Sequence, residues 1–344
     1  MVSRETCLPI RTGRPSDASA PTTDLCFTIT QGMFHVKPSP APRICDYEGS
    51  DYRERFWEQA DRGYEDAAER LAIRRLLPAN GRRLAEIGAG FGRLVDEYRH
   101  FDEVFLVDYA HSMIRDARMR LAESRPGLRF VCADLYQLPF SSSALDTIIQ
   151  IRVLHHVERL DAAFCEVARC LGSGGSYVLE FANKRNLKAI LRHWSGQQAE
   201  DPFSPDPFEF VPLNWNHHPS RVNAALDQAG LAPITQRSVS LFRLGALKQR
   251  VPAERLASAD DLLAGVLAPL SLSPSHFIRA LKTLGAGAQA GLWRCPACGA
   301  EPLPENPDAV PCFACGRRWP IVDGVFVFRS EVADSLRPGW SQGA

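Results

Sequence analysis

The chain has 344 residues, its 40 Lys and Arg matched by 40 Asp and Glu, and 45% of its residues are hydrophobic. That length accommodates one sizeable domain and a smaller one, and a neutral balance excludes the basic field that drives non-specific nucleic-acid binding. Apolar runs fall short of the roughly 18 residues of a membrane span, and the amino end lacks the charged-then-apolar layout of a secretory signal, so a cytoplasmic protein without a membrane partner is expected.

Residues 1–43 are rich in Pro, Ser and Thr without periodicity and predict a disordered or extended segment. Met33 begins Met-Phe-His-Val-Lys, a second candidate translation start. From Tyr52 to Leu77 the pattern is an amphipathic helix, with Leu71, Leu76 and Leu77 on the apolar stripe and Arg70, Arg74 and Arg75 on or beside the polar face. Pro78 and Gly81 stop it. Short apolar strands follow at 84–87, 103–107, 128–132, 146–151 and 176–181, separated by helical stretches such as 112–123 and 160–171. Alternation at this pitch predicts an α/β fold, a doubly wound and mostly parallel sheet with helices on both faces. Beyond 183 come a helix at 220–229, a strand near 233–241, a helical stretch at 253–268 and a strand at 276–282. The main domain is thus expected over 44–285, a small one over 290–330 and a flexible tail over 331–344.

The densest signal is Leu84-Ala-Glu-Ile-Gly-Ala-Gly-Phe-Gly-Arg-Leu94, followed by Val104-Phe-Leu-Val-Asp108: a strand, a glycine turn, a helix and a second strand ending in a carboxylate. Glycines tolerate positive φ and close backbone approach to a ligand, and an acid at the end of the next strand suits ribose hydroxyls. A dinucleotide fingerprint would place its third glycine at 93, where Arg93 stands. An acid followed by alternating glycines suits a cationic nucleoside without phosphate, which disfavours an oxidoreductase.

Glu86-x-Gly88-x-Gly90-x-Gly92, Asp108, Ala133-Asp134-Leu135 with Leu138-Pro139-Phe140, and Asp146-Thr-Ile-Ile149 before Leu154-His155-His156 together resemble class I S-adenosylmethionine-dependent methyltransferases with a type 11 domain. With Glu166 to Glu180, similar to the family's helix and turn into the next strand, the resemblance covers about 65–183. It implies a Rossmann-like methyltransferase fold whose sheet ends in an antiparallel pair, residues 242–275 being an insertion there, either a lid or a packing element. It implies that Gly88, Gly90 and Gly92 pass beneath the methionine and ribose of S-adenosylmethionine, while Glu86 faces the amino-acid end or holds the loop through backbone amides. Asp108 would take the ribose hydroxyls. Asp134 would reach the adenine amino group with Leu135 on the ring, or else cap its own turn. Tyr109 and Met113 would border the adenosyl pocket, Met113 equally as core. His155 and His156 are the candidates for a general base, with a structural role for both left open. Arg152 and Glu180 belong to the same rim.

Four of the ten cysteines form Cys295-Pro-Ala-Cys298 and Cys312-Phe-Ala-Cys315, with 13 residues between the pairs. Two such knuckles place four thiolates around a structural zinc. Arg294-Cys-Pro-Ala-Cys298 through Pro320-Ile-Val-Asp-Gly-Val325 is similar to the zinc-ribbon activators of tRNA, ribosomal RNA and release-factor methyltransferases, which act in trans. The ribbon would stabilise the main domain, recognise an RNA or protein partner, or be a remnant. The methyl acceptor stays unnamed: neutral charge favours a small metabolite, the ribbon RNA or protein. A non-catalytic cofactor-sensing or scaffolding protein is the rival reading.

Overall fold

The computed structural model describes residues 42–50, 57, 62–283 and 291–336. The expectations for 1–41, including a start at Met33, and for 337–344 lie outside the described residues.

Helix α1, Gly63–Leu76, buries Tyr64, Ala68, Ala72, Ile73 and Leu76, a stripe at helical spacing, and the chain turns extended at Leu77 before Pro78. The strand and helix order follows the sequence pattern: β1 Gly81–Ile87, β2 Phe101–Asp108, α2 His111–Leu121, β3 Leu128–Cys132, β4 Leu145–Gln150, α3 Leu160–Cys170 and β5 Leu171–Ala182. Val104 to Val107 in β2 are buried on both faces, which explains why the strand reads as a continuous apolar run rather than an alternation.

Among the short elements unseen in the sequence are helix α4, Leu187–Trp194, and the hairpin β6 Phe208–Val211 with β7 Asn214–Asn216. The hairpin turns at Leu213 with a φ of 62°, where a glycine would have marked it. Then come α5 Pro219–Gln228, β8 Leu231–Val239, α6 Gly245–Lys248, α7 Ala253–Leu267 and β9 Ser275–Lys282. Helix α7, inside the expected insertion, packs on α1 and β8, with Asp261 bound to Arg75 and Arg237.

The remaining strands are β10 Ala309–Pro311, β11 Arg318–Val322 and β12 Val325–Val327, before α8 Ser330–Ser335. The sheet runs β10-β11-β12-β3-β2-β1-β4-β5-β9-β8, parallel from β12 to β5 with β9 antiparallel to both neighbours. The tail expected from 331 therefore begins as a helix, with Ala333 buried.

The cysteine segment does not stand apart. Strand β12 pairs with β3, Val325 opposite Phe130 and Val327 opposite Cys132, so it covers what would be the open edge of the sheet. The Asp323-Gly324 turn feeding it has both residues at positive φ, 49° and 75°, as a two-residue hairpin requires. Trp293 is buried and stacks on Phe140 at 5.7 Å, edge-on to Phe105 at 6.0 Å. Part of the segment's stability therefore comes from packing on the main sheet. We expect Trp293→Ala to lower the unfolding free energy by about 3–5 kcal/mol in denaturant titrations while leaving metal content unchanged. No helix of the described residues is long and apolar enough to cross a membrane.

Candidate functional site

The turn after β1 is where the backbone is most constrained. Gly88, Gly90 and Gly92 have φ of 74°, 54° and 77°. A Cβ at 88 would collide with Val153 and one at 92 with Leu121, whereas one at 90 would meet nothing. Packing thus demands glycine at two positions, and the third faces open space. Arg93, in the place of a dinucleotide loop's third glycine, is anchored to Asp66 and Glu69 of α1 beneath the loop.

Asp108, at the end of β2, accepts from the Gly90 amide at 2.7 Å through Oδ2 and from the Ala110 amide at 2.9 Å through Oδ1. Burial pushes its carboxyl up to about 6, against the lowering effect of those amides. Asp134 accepts from the Tyr136 amide at 2.8 Å, so it does cap its turn, and burial raises its pKa. Both carboxylates line one cavity together with Gly88, Gly90, Tyr109 and Leu135. Its position outside the carboxyl ends of β1 to β4 is where open α/β sheets bind ligands. Met113 also lines it while nearly buried, so its two readings coincide.

Glu86, Gly92 and His155 lie outside that lining. Glu86 is buried behind the loop, its pKa raised to about 8 by desolvation despite the opposing charge of Arg93. Its Oε2 finds no hydrogen-bond partner among the described residues. A carboxyl held protonated when folded stabilises the protein fully below its ordinary 4.5, and the contribution is lost as pH rises toward 8. Glu86→Gln removes that slope. The variant should therefore gain stability relative to the parent as pH rises through this window, by a few kcal/mol at order of magnitude, and a pH series of urea midpoints reads it.

Beyond β4, the His156 Nδ1 lies 2.9 Å from the Leu213 carbonyl, so Nδ1–H donates and Nε2 is left to accept from the Tyr47 hydroxyl at 2.9 Å. Burial lowers its pKa and keeps it neutral. His155 packs on it at 3.9 Å between ring centres, its own pKa pushed well down by burial. Arg152 lines the cavity, pairs with Glu69, and donates its amide to Glu180 at 3.0 Å.

The site includes a segment that sequence reasoning missed. Arg43, Ile44, Cys45 and Tyr47 line the cavity. Arg43 is tied to Glu158 and Glu209, and Glu48 accepts from the Ser112 amide at the start of α2. Residues 42–47 form no regular element and carry no periodicity, so only the run Ile44-Cys45-Asp46-Tyr47 after the Pro-rich stretch hinted at them.

At the other end, the four sulfurs of Cys295, Cys298, Cys312 and Cys315 lie within 4.8 Å of one another. The Cys295–Cys315 and Cys298–Cys312 separations are 3.7 and 3.5 Å. A tetrahedron with zinc–sulfur bonds of about 2.3 Å has edges of about 3.8 Å, so the donor set fits zinc. Gly299 and Gly316, each following a knuckle, have φ of 78° and 75° and donate back to the Cys295 and Cys312 carbonyls.

Residues 85–179 match the family model of the methyltransferase domain. The chain is 29% identical over 185 residues to the demethylmenaquinone methyltransferase of Thermobifida fusca, covering 52% of this chain and 73% of that protein. It is 25% identical over 120 residues to the biotin biosynthesis bifunctional protein BioHC of Saccharophagus degradans, covering 35% of this chain but only 22% of that longer protein. Among solved structures it is similar to the complex of the Haloferax volcanii Trm112 methyltransferase activator with a methyltransferase, with a TM-score of 0.47, 16% identity, and coverage of 68% of this chain and 95% of that one. With the domain match, the strand order and the glycine loop in agreement, the chain carries a methyltransferase domain of the class I, S-adenosylmethionine-dependent kind, matched over residues 85–179.

Proposed function

We propose that the cavity binds S-adenosylmethionine and that the chain transfers its methyl group to a small organic acceptor entering beside His156. The convergence of Gly88, Gly90, Asp108 and Asp134 on one cavity carries this reading. In it the backbone of Gly88 and Gly90 runs beneath the methionine and ribose, and Asp108 takes the ribose hydroxyls. Asp134 and Leu135 face the adenine, Tyr109 borders it, and Gly92 and Glu86 shape the loop from behind. The cofactor, when bound, supplies a sulfonium methyl for direct displacement, so the protein's main task is alignment.

His156 is the proposed base, positioned by Leu213 and backed by His155. An acceptor X–H would give its proton to the Tyr47 oxygen as Tyr47 passes its own to Nε2, while the S–C bond breaks and the C–X bond forms. We expect His156→Gln to lower methyl transfer about 10²–10⁴-fold without changing cofactor affinity. Tritiated-methyl incorporation into fractionated cell extract measures the first, and calorimetry the second. An unchanged rate would remove His156 from the chemistry.

The small acceptor is supported by neutral composition and by partners within the chain for the ribbon's Arg317 and Arg318. Arg317 donates to Ser330 at 2.8 Å and lies 5.6 Å from the Trp319 ring centre, and Arg318 pairs with Asp308. Label appearing in the RNA or protein fraction would overturn it. The methyltransferase domain spans 44–285 in this reading, and the ribbon over 290–330 holds one structural zinc through Cys295, Cys298, Cys312 and Cys315. Calorimetry against S-adenosylmethionine, S-adenosylhomocysteine and NAD tests the whole: binding of NAD alone sinks it, and binding without transfer to any fraction marks a sensor.

A further inference from the structure

The metal ribbon and the cofactor cavity meet in one side chain. The last ladder bond of β12 on β3, Phe328 N–H to the Cys132 carbonyl at 2.8 Å, delivers Arg329 to the end of β2, where Asp108 and Tyr109 stand. Arg329 is almost fully buried there. Its Nη1 donates to the Tyr109 carbonyl at 2.6 Å, its guanidinium carbon lies 3.5 Å from the Tyr109 ring centre, and its Nη2 pairs with Asp46 at 3.3 Å. Tyr109 lines the cavity, and Asp46 sits between Cys45 and Tyr47, which line it too. One guanidinium thus braces two parts of the cavity lining together, with a carbonyl, a π face and a carboxylate as its three partners.

The same residue is tied back to the metal. Arg317, two positions after Cys315, bonds the hydroxyl of Ser330, the neighbour of Arg329, and Phe328 packs on Trp319 at 5.7 Å. Without the four-thiolate knot, the turn holding Arg317 and the strand presenting Arg329 lose their anchor.

We propose that Arg329 is a positioning residue of the cofactor pocket, through which the metal state of the ribbon sets affinity at the cavity. The inference rests on the cavity being the cofactor site. It makes the ribbon neither a remnant nor solely a partner-docking module, since its folded state is read out at Tyr109 and Asp46.

The test is calorimetry of S-adenosylhomocysteine on the full chain. Arg329→Ala should weaken binding by roughly 3- to 30-fold, the scale of couplings carried by residues that do not touch the ligand. Arg329→Lys, which keeps the charge but loses the planar fork, should recover part of it. Metal content of both variants should equal the parent's. Stripping the metal should weaken the parent as much as Arg329→Ala does and should add little to the variant, a non-additivity that a general loss of stability does not produce. If Arg329→Ala fails to fold, Asp46→Asn cuts one arm of the brace and should weaken binding by a smaller factor. Parent that does not bind the ligand overturns the reading of the cavity. Parent that binds, with Arg329→Ala or Asp46→Asn binding equally well or metal loss adding in full, overturns this inference alone.

Discussion

Asp108→Ala should abolish useful cofactor binding, raising the dissociation constant for S-adenosylhomocysteine by about 10²–10³-fold. Two effects combine. The carboxylate that would accept both ribose hydroxyls is lost, and charge-assisted bonds contribute about 1.5–3 kcal/mol each. The same oxygens hold the Gly90 and Ala110 amides, so their removal also frees the turn at the one glycine that faces open space. Asp108→Asn keeps an acceptor for one amide and should lose less. A pH effect accompanies the substitution. With its carboxyl near 6, the parent should bind roughly tenfold more weakly at pH 5 than at pH 7.5, because the protonated acid accepts poorly. The stability of the free protein runs the other way: a raised folded pKa stabilises fully below the ordinary 3.8 and is lost as pH rises toward 6. Isotherms and urea midpoints over that range separate the two, and a binding curve flat in pH would remove Asp108 from the ribose contact.

Much of this was legible in the chain because the parallel sheet writes itself locally. Each of β1 to β5 carries an apolar run, and cavity-lining groups follow the ends of three of them, at Gly88, Asp108 and Asp134. What escaped reading has a different physical origin. Tyr47 meets His156 across 109 positions, and the hairpin that fixes the imidazole tautomer turns at Leu213, which holds a positive φ only because its surroundings enforce it. Glu86 was read as facing the ligand or holding the loop's amides, whereas burial behind the loop keeps it protonated. Sequence shows that an acid precedes the glycines, and depth in the fold decides its charge. The spacing of the ribbon's cysteines predicted that four thiols would gather, as they do, but that β12 would lie beside β3 depends on long-range docking that no local pattern encodes.

Cys312→Ser should release the metal and unfold the ribbon, the largest stability change foreseen here. Zinc in a four-thiolate site contributes on the order of ten kcal/mol to folding. That exceeds the few kcal/mol expected from docking Trp293 into the aromatic cluster, so docking alone does not hold the segment. Cys312 and Cys295 are buried, whereas Cys298 and Cys315 are exposed. A hydroxyl at 312 is then left without solvent as well as without metal, and Cys315→Ser should be the milder loss. Unfolding uncovers the β3 edge and the ring faces of Phe105 and Phe140, an unpaired strand beside apolar surface that favours aggregation. Zinc content, hydrogen exchange over 291–328 and light scattering on heating should therefore change together in Cys312→Ser, whereas exchange in β1, β4 and β5, far from that edge, should hardly move. A metal-free protein whose ribbon amides stay as protected as the parent's would mean that the aromatic cluster suffices and that the four thiols lie close for another reason.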